Sequence, residues 1–285
     1  MNDIRALYKE LDDSAVVHRT PCGAGHMLWR EWGKGEPIVM LHGGSGSWRH
    51  WLANISPLAQ RYRVLVADLP GLGDSDMPPD GFDHDDLIGA ARKVAEIVHA
   101  GILTLTSDAV RMLGFSAGSI IGAQLAAAHP TQVRSMHLAG ASSLGLSWGG
   151  LAGRLRPMSK DMSRDEKLAV QGYNAGLIML SKAAPADSIE AELQLANTEL
   201  ARLRTHPLAS GGVLLDALAR LQCPVHAIWG SCDPYALPDI DARVALFRRY
   251  FPHGDFQILD GAGHWVMYER AQVFNPAVLA QMQSS

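Results

Sequence analysis

Met112-Leu113-Gly114-Phe115-Ser116-Ala117-Gly118 lies between an apolar run that opens at Ala109 and an Ala-rich run that reaches His129. A continuous apolar stretch that gives way to helical spacing predicts a strand, a sharp turn and a helix, with Ser116 at the apex. Glycine on both flanks has a steric reason: so tight a turn presses the strand onto the first helical turn, where a Cβ would collide. Such a turn holds its serine strained with the hydroxyl exposed. The N–H of Ala117 then points from the helix N-terminus toward developing negative charge. A Gly-x-Ser-x-Gly match alone is common by chance, so its weight depends on a base and an acid recurring at equivalent places downstream.

Moving outward, Ile38-Val39-Met40-Leu41 and Val64-Leu65-Val66-Ala67 are continuous apolar runs, as expected of strands covered on both faces of a parallel sheet. The first ends in His42-Gly43-Gly44-Ser45-Gly46-Ser47, with a helix expected over 48–61. The second ends in Asp68-Leu69-Pro70-Gly71-Leu72-Gly73-Asp74-Ser75, with a helix expected over 83–100 whose first turn is acidic. A short amphipathic helix over 3–11 and a hairpin of strands 15–19 and 26–32, turning at Pro21, Gly23 and Gly25, come before these. Further strands are expected over 135–139, 225–229 and 256–259, with a helix over 239–250 and a closing helix after it. This alternation predicts an α/β fold, a mostly parallel sheet with helices on both faces.

The rhythm breaks between Ala141 and Pro224, where no buried strand is evident and a crossover would need only one helix. Ile189, Leu193, Leu195, Leu200 and Leu203 carry helical spacing, interrupted at Pro157, Pro185 and Pro207. Residues 142–223 are expected to form an inserted helical cap on a core of 1–141 and 224–285. Such a cap would shape an apolar pocket over the sheet edge and exclude water from it. The alternative is extra packing without contact to substrate.

Bulk properties narrow the function classes. With 285 residues, 47% hydrophobic and 19% charged, the composition is that of an ordinary globular enzyme built as one large domain with an insertion. The net charge is −4 and no basic run exceeds a pair such as Arg248-Arg249, which argues against nucleic acid as a partner. The charged N-terminus does not read as a signal peptide, and no apolar run approaches the roughly 20 residues that span a bilayer. Cys22, Cys223 and Cys232 form neither a paired framework nor a metal spacing. A cytoplasmic protein with reduced thiols, no metal, no cofactor and no membrane association is expected. The expected partner is a small-molecule substrate, with homo-oligomer formation left open.

A serine hydroxyl needs a base within hydrogen-bond reach, itself oriented by a third group. Asp233 and His264 each follow an expected strand, as Ser116 does, and in a parallel sheet all such positions share one edge. The order Ser116, Asp233, His264 is that of an α/β-hydrolase triad. Gly261 and Gly263 free the loop that carries His264. Asp68 is the rival acid, but its Asp-Leu-Pro-Gly setting suggests that it braces a turn. His42 is read as a loop-stabilising residue, and His129, His206 and His253 as surface or capping residues at element ends. Two N–H donors are needed for an oxyanion, and Ala117 and Gly44 are the candidates.

Together, His42-Gly43-Gly44-Ser45-Gly46, Asp68-Leu69-Pro70-Gly71-Leu72-Gly73-Asp74-Ser75, Gly114-Phe115-Ser116-Ala117-Gly118, Gly230-Ser231-Cys232-Asp233 and Gly263-His264-Trp265 resemble the α/β-hydrolase superfamily over nearly the whole chain. The cap position and Trp265 are similar to the meta-cleavage product hydrolases, which cut carbon–carbon bonds in vinylogous 1,5-diketones. That similarity implies a cap arginine for a substrate carboxylate, with Arg202 and Arg204 as candidates. Trp265, Phe115 and Gly43 are the further candidate substrate contacts. Members of that subfamily usually have Asn before the serine and Met-Gly-Gly after it, where this chain has Phe115 and Ala117-Gly118-Ser119.

The leading expectation is therefore a serine hydrolase acting on a small acyl substrate, a carboxylic ester, through an acyl-enzyme. Carbon–carbon hydrolysis is the runner-up. A third reading is cofactor-free oxygenation, in which the His–Asp pair is the base and the serine only positions substrate. Nucleotide binding fits poorly: with Gly44 and Gly46 as the first glycines of a dinucleotide fingerprint, the third position falls on Arg49, and no Gly-Lys-Ser or Gly-Lys-Thr is present.

Overall fold

The computed structural model describes residues 4–147, 154–209 and 211–284. Helix α1 (Ile4–Ser14) leads into the hairpin β1 (Val16–Cys22) and β2 (Gly25–Trp32), followed by β3 (Pro37–Leu41). A 3-10 turn (Trp48–Trp51) and α2 (Ile55–Ala59) precede β4 (Arg63–Ala67). Then come α3 (Leu87–Leu105), β5 (Val110–Phe115), α4 (Ala117–Ala128) and β6 (Val133–Ala139). After a helical segment with α5 (Arg164–Ile178), α6 (Ile189–Leu200) and α7 (Val213–Leu218), the chain returns through β7 (Val225–Gly230), α8 (Ile240–Tyr250) and β8 (Phe256–Leu259). It closes with α9 (Val266–Glu269) and α10 (Ala271–Gln283).

The eight strands form one sheet in the order β1-β2-β4-β3-β5-β6-β7-β8, antiparallel at β1/β2 and β2/β4 and parallel elsewhere. Alternation along each central strand feeds two cores. Val39, Leu41, Leu65, Ala67 and Met112 pack into one, and Ile38, Met40, Val64, Val66 and Leu113 into the other. Because β3 to β8 run parallel, Leu41, Ala67, Phe115, Ala139, Gly230 and Leu259 all end at one edge.

Three local expectations shift. The helix expected over 48–61 is a 3-10 turn and the short α2, because Pro57 has no N–H for an intrahelical bond and its ring crowds the carbonyl four residues back. The helix expected from 83 begins at Leu87: Asp83 instead accepts the N–H of Asp85 (2.9 Å), and Asp86 caps the helix by accepting the N–H of Gly89 (2.9 Å). Its first turn carries no acidic residue, the acids lying just ahead of it. Strand β1 runs through Pro21 to Cys22, which an edge strand tolerates because a missing donor can face away from the sheet. The start of the helix expected over 3–11 includes residue 3, which lies outside the described residues.

Among the described residues of 142–223 there is no strand. Helices α5 and α6 pack on each other, whereas α7 packs on α4 and places Val213, Leu214, Ala217 and Leu218 in the main core. Local sequence starts both longer helices: Ser163 and Glu166 form a capping box on α5, and Ser188 accepts the Ala191 N–H (3.2 Å) on α6. Polar ties hold the pair to the rest of the chain. Tyr268 donates to Glu190 (2.7 Å), Ser47 donates to Asn197 (2.6 Å), and the Glu269 carboxylate accepts the N–H and hydroxyl of Ser181 (2.9 and 2.8 Å). No described helix is long and apolar enough to cross a membrane.

Candidate active site

Ser116 occupies the turn between β5 and α4 at φ 50°, ψ −115°, a region a non-glycine residue adopts only when its surroundings force it. Those surroundings are specific. The Ser116 N–H donates to Ala139 O (3.0 Å), and the hydroxyl of Ser119 donates to Gly114 O (2.8 Å). A Cβ on Gly114 would press on Ser119 of the first helical turn, as the sequence reading anticipates. A Cβ on Gly118 would meet the carbonyls of Leu41 and His42, so that glycine admits the end of the neighbouring β3 rather than its own strand.

His264 follows β8 and Asp233 follows β7. The Nδ1 of His264 donates to Asp233 Oδ2 (2.8 Å), and both side chains are almost fully buried. The other carboxylate oxygen of Asp233 accepts the N–H of Tyr235 (2.8 Å), so the acid is aimed from both sides. The His264 ring is held between Phe115 and Tyr235, with centroids 4.9 and 4.5 Å away. Burial, and then the charge of Asp233, push the Tyr235 phenol up to about 12, so it stays a neutral wall of the site.

The loop after β3 is fixed by neutral histidines. His42 donates from Nδ1 to Gly43 O (2.7 Å) and accepts the Leu69 N–H at Nε2 (2.9 Å), a loop-bracing role. Burial holds its pKa below the ordinary histidine value. Asp68 accepts the N–H groups of Trp48 (2.7 Å) and Asp74 (3.1 Å) and pairs with Arg30 (3.3 Å), so it braces its turn rather than orienting a base. The N–H groups of Gly44 and Ala117 have no acceptor among the described residues, and both glycine and alanine line the cavity that Ser116 and His264 also line.

That cavity has a volume of about 400 Å³. Its apolar lining includes Phe115, Ile120, Leu155, Ile178 and Met179; its polar lining includes Gln171, Asn174, Gln194, Thr198 and Thr205. No Lys, Arg, Asp or Glu is among the described residues that line it.

Four expected substrate contacts lie elsewhere. Trp265 is fully buried behind the wall, its ring stacked on Tyr268 (4.2 Å) and its indole N–H donating to His50 O (2.8 Å). Gly43 donates to His50 Nδ1 (3.2 Å), and a Cβ there would lie 2.8 Å from the Phe115 ring rather than in the cavity. Arg202 donates to the carbonyls of Gly73 and Ser75, and Arg204 is exposed outside the lining. Only Phe115 of this group faces the cavity.

The sequence reading missed Gln194 and Tyr235 in the lining and His50 and Asn197 behind it: nothing local distinguishes a cavity-facing Gln on an amphipathic helix from a surface one, and the others are placed by contacts far apart in the chain. One histidine also differs from expectation: His206 lines the cavity. His129 is the C-cap of α4, as expected of a capping residue, and stacks on His99 (3.6 Å) with Glu96 2.9 Å away, apart from the cavity lining.

Residues 38–277 match the model of the alpha/beta hydrolase family, and the chain belongs to that family. It is an enzyme of hydrolase type. It is 26% identical to a 2-hydroxy-6-oxononadienedioate/2-hydroxy-6-oxononatrienedioate hydrolase of Cupriavidus pinatubonensis, over 95% of this chain and 92% of that protein. It is 27% identical to a pimeloyl-[acyl-carrier protein] methyl ester esterase of Aeromonas hydrophila, over 85% of this chain and 93% of that protein. The solved 2-hydroxy-6-oxo-6-phenylhexa-2,4-dienoate hydrolase of Rhodococcus sp. strain RHA1 superposes with a TM-score of 0.70 at 19% identity, covering 95% of this chain and 99% of that one. At that identity the likeness is one of fold.

Proposed function

We propose that this protein is a serine-dependent carboxylic ester hydrolase acting on a small, uncharged acyl substrate. In this reading His264 takes the proton of Ser116 and the alkoxide attacks the ester carbonyl. The N–H groups of Gly44 and Ala117 hold the oxyanion, and Asp233 stabilises the imidazolium. The alcohol leaves with the proton from His264, and water, activated by the same imidazole, releases the acid.

The observation that carries the substrate class is the lining: a cavity with Ser116, His264 and His206 in its wall and no Lys, Arg, Asp or Glu among the described residues. A substrate carboxylate would lie there without a cation, which is costly in a partly closed site. The relatives that cut carbon–carbon bonds support the second reading. It would need a cation, and the arginines expected to supply it are tied to Gly73 and Ser75 or exposed.

Side-by-side turnover of p-nitrophenyl butyrate and 2-hydroxy-6-oxo-6-phenylhexa-2,4-dienoate tests the choice. The ester is expected to be the better substrate by kcat/KM; a better dienoate overturns the ester reading. Covalent labelling of Ser116 by a fluorophosphonate separates both from a base-only oxygenase, in which the serine stays unlabelled.

A further inference from the structure

A chain of hydrogen bonds runs from the loop after β3 into the cavity through α6, and every link points the same way. The Arg49 guanidinium and backbone N–H both donate to Ser47 Oγ (3.1 and 3.3 Å). The Ser47 hydroxyl donates to Asn197 Oδ1 (2.6 Å), and Asn197 Nδ2 donates to Gln194 Oε1 (3.2 Å). His50 reaches the same oxygen: its Nδ1 accepts the Gly43 N–H, so the proton sits on Nε2, which donates to Gln194 Oε1 (3.4 Å). With two donors on its oxygen, the Gln194 amide cannot flip without setting its NH₂ against both.

Gln194 is 9% exposed and lines the cavity; its oxygen takes both hydrogen bonds, and its Nε2 has no acceptor among the described residues yet is not sealed off, so it is open to the cavity. An otherwise buried side chain whose oxygen is doubly engaged and whose NH₂ is left open to the cavity presents a fixed donor to whatever occupies that cavity. A donor chain that begins at a guanidinium also polarises this amide toward the positive at its cavity end.

We propose that Gln194 Nε2 is a substrate subsite that binds a second, uncharged carbonyl oxygen on the acyl part of the substrate, distinct from the scissile carbonyl held by Gly44 and Ala117. This deepens the ester reading and rests on it for the placing of the acyl group. The acceptor is uncharged because the described lining holds no Lys or Arg to neutralise a carboxylate. The link through His50 and Gly43 places the subsite and the oxyanion loop in one network, so an occupied Gln194 steadies the loop that carries Gly44.

The test uses matched esters: p-nitrophenyl 4-oxopentanoate and 5-oxohexanoate against the pentanoate and hexanoate. Wild type is expected to favour at least one oxo ester over its alkyl partner by about tenfold in kcat/KM, the worth of one well-placed hydrogen bond. In Gln194→Met that ratio is expected to fall to near one, mainly through KM, and in Asn197→Leu it falls part of the way. The ratio cancels any general loss of folded enzyme. An unchanged ratio in Gln194→Met overturns the proposal, as does no preference in wild type. A preference for the mono-p-nitrophenyl succinate over the oxo esters overturns the uncharged acceptor.

A binding arm separates this from failure of the ester reading. With Ser116→Ala, calorimetry of methyl 4-oxopentanoate and methyl pentanoate should show several-fold tighter binding of the oxo compound, lost on adding Gln194→Met. Equal binding overturns the subsite even if esters are turned over. Tighter binding without ester turnover retains the subsite and overturns the ester chemistry.

Discussion

Ser116 is held at φ 50° by a helix behind it and a strand end beside it, and strain of this kind costs about 1–3 kcal/mol that the rest of the turn must offset. The glycines are where that offset can be broken. Gly118→Ala drives a methyl into the Leu41 and His42 carbonyls, two backbone groups that cannot step aside. It is expected to destabilise the fold by about 1–3 kcal/mol or more, read as a lower urea midpoint. Gly44→Ala is a different experiment: its methyl would lie 2.5 Å from Thr205 Oγ1, at the cavity mouth of the oxyanion loop. It should leave stability within about 1 kcal/mol of wild type, because a threonine side chain can shift away, yet lower kcat, because the N–H stays in place chemically while the added methyl displaces the loop that aims it. A kcat unchanged in Gly44→Ala would mean that the loop aims its N–H without needing the space beside Thr205. Ser116, Asp233 and His264 stood out in the sequence because each follows an apolar strand, and the structure places all three at one sheet edge with His264 hydrogen-bonded to Asp233. Trp265 misled for the same reason, since adjacency to His264 in sequence says nothing about which way the next side chain turns.

At the scale of elements, the end of α5 and the loop of His264 are one clamped unit. Glu269 accepts the Gly263 N–H (2.6 Å) as well as both donors of Ser181, and the Trp265 N–H donates to Met179 O (2.7 Å). Met179 is in the cavity wall, so the end of the helix that shapes the pocket and the loop that carries His264 share a carboxylate. Glu269→Ala leaves three donors without their acceptor. It is expected to cost about 2–3 kcal/mol in stability and to lower kcat more than it raises KM, measured by steady-state ester turnover. Equal kcat in the variant would mean the His264 loop is positioned without this clamp. The sequence showed helical spacing in this segment but could not assign α7 to the core or orient Gln194, because both depend on which face meets α4 and the loop after β3. Those contacts come from residues far apart in the chain, and periodicity gives only the period.

Among the described residues, His42, His50 and His137 are fully buried, and burial holds each below the ordinary histidine value. Burial, then the neighbouring His42, lowers His50 to about 3, and burial, then His226, lowers His137 to about 3. Below the unfolded value near 6.5 the unfolded chain binds protons that the native state does not, so stability falls as pH drops from about 6.5 toward 3. Each histidine contributes up to about 1.4 kcal/mol per pH unit in that window. Urea unfolding at pH 7, 6 and 5 should show this acid-side loss, and His137→Asn should show a shallower slope; equal slopes would mean His137 takes a proton in the folded state. The mostly parallel sheet and the helical segment before Pro224 follow from apolar runs and their spacing in the sequence, whereas the exchange of β3 and β4 in the strand order does not. The neutrality of the cavity does not, since it depends on Arg202 being drawn to the Gly73 and Ser75 carbonyls. The most direct measurement is intact-protein and peptide mass spectrometry of enzyme acid-quenched during turnover of p-nitrophenyl butyrate. A butyryl group on the peptide that contains Ser116, absent from Ser116→Ala together with turnover, is the expected result. Full turnover by Ser116→Ala, or an adduct on another residue, would contradict nucleophilic catalysis by Ser116.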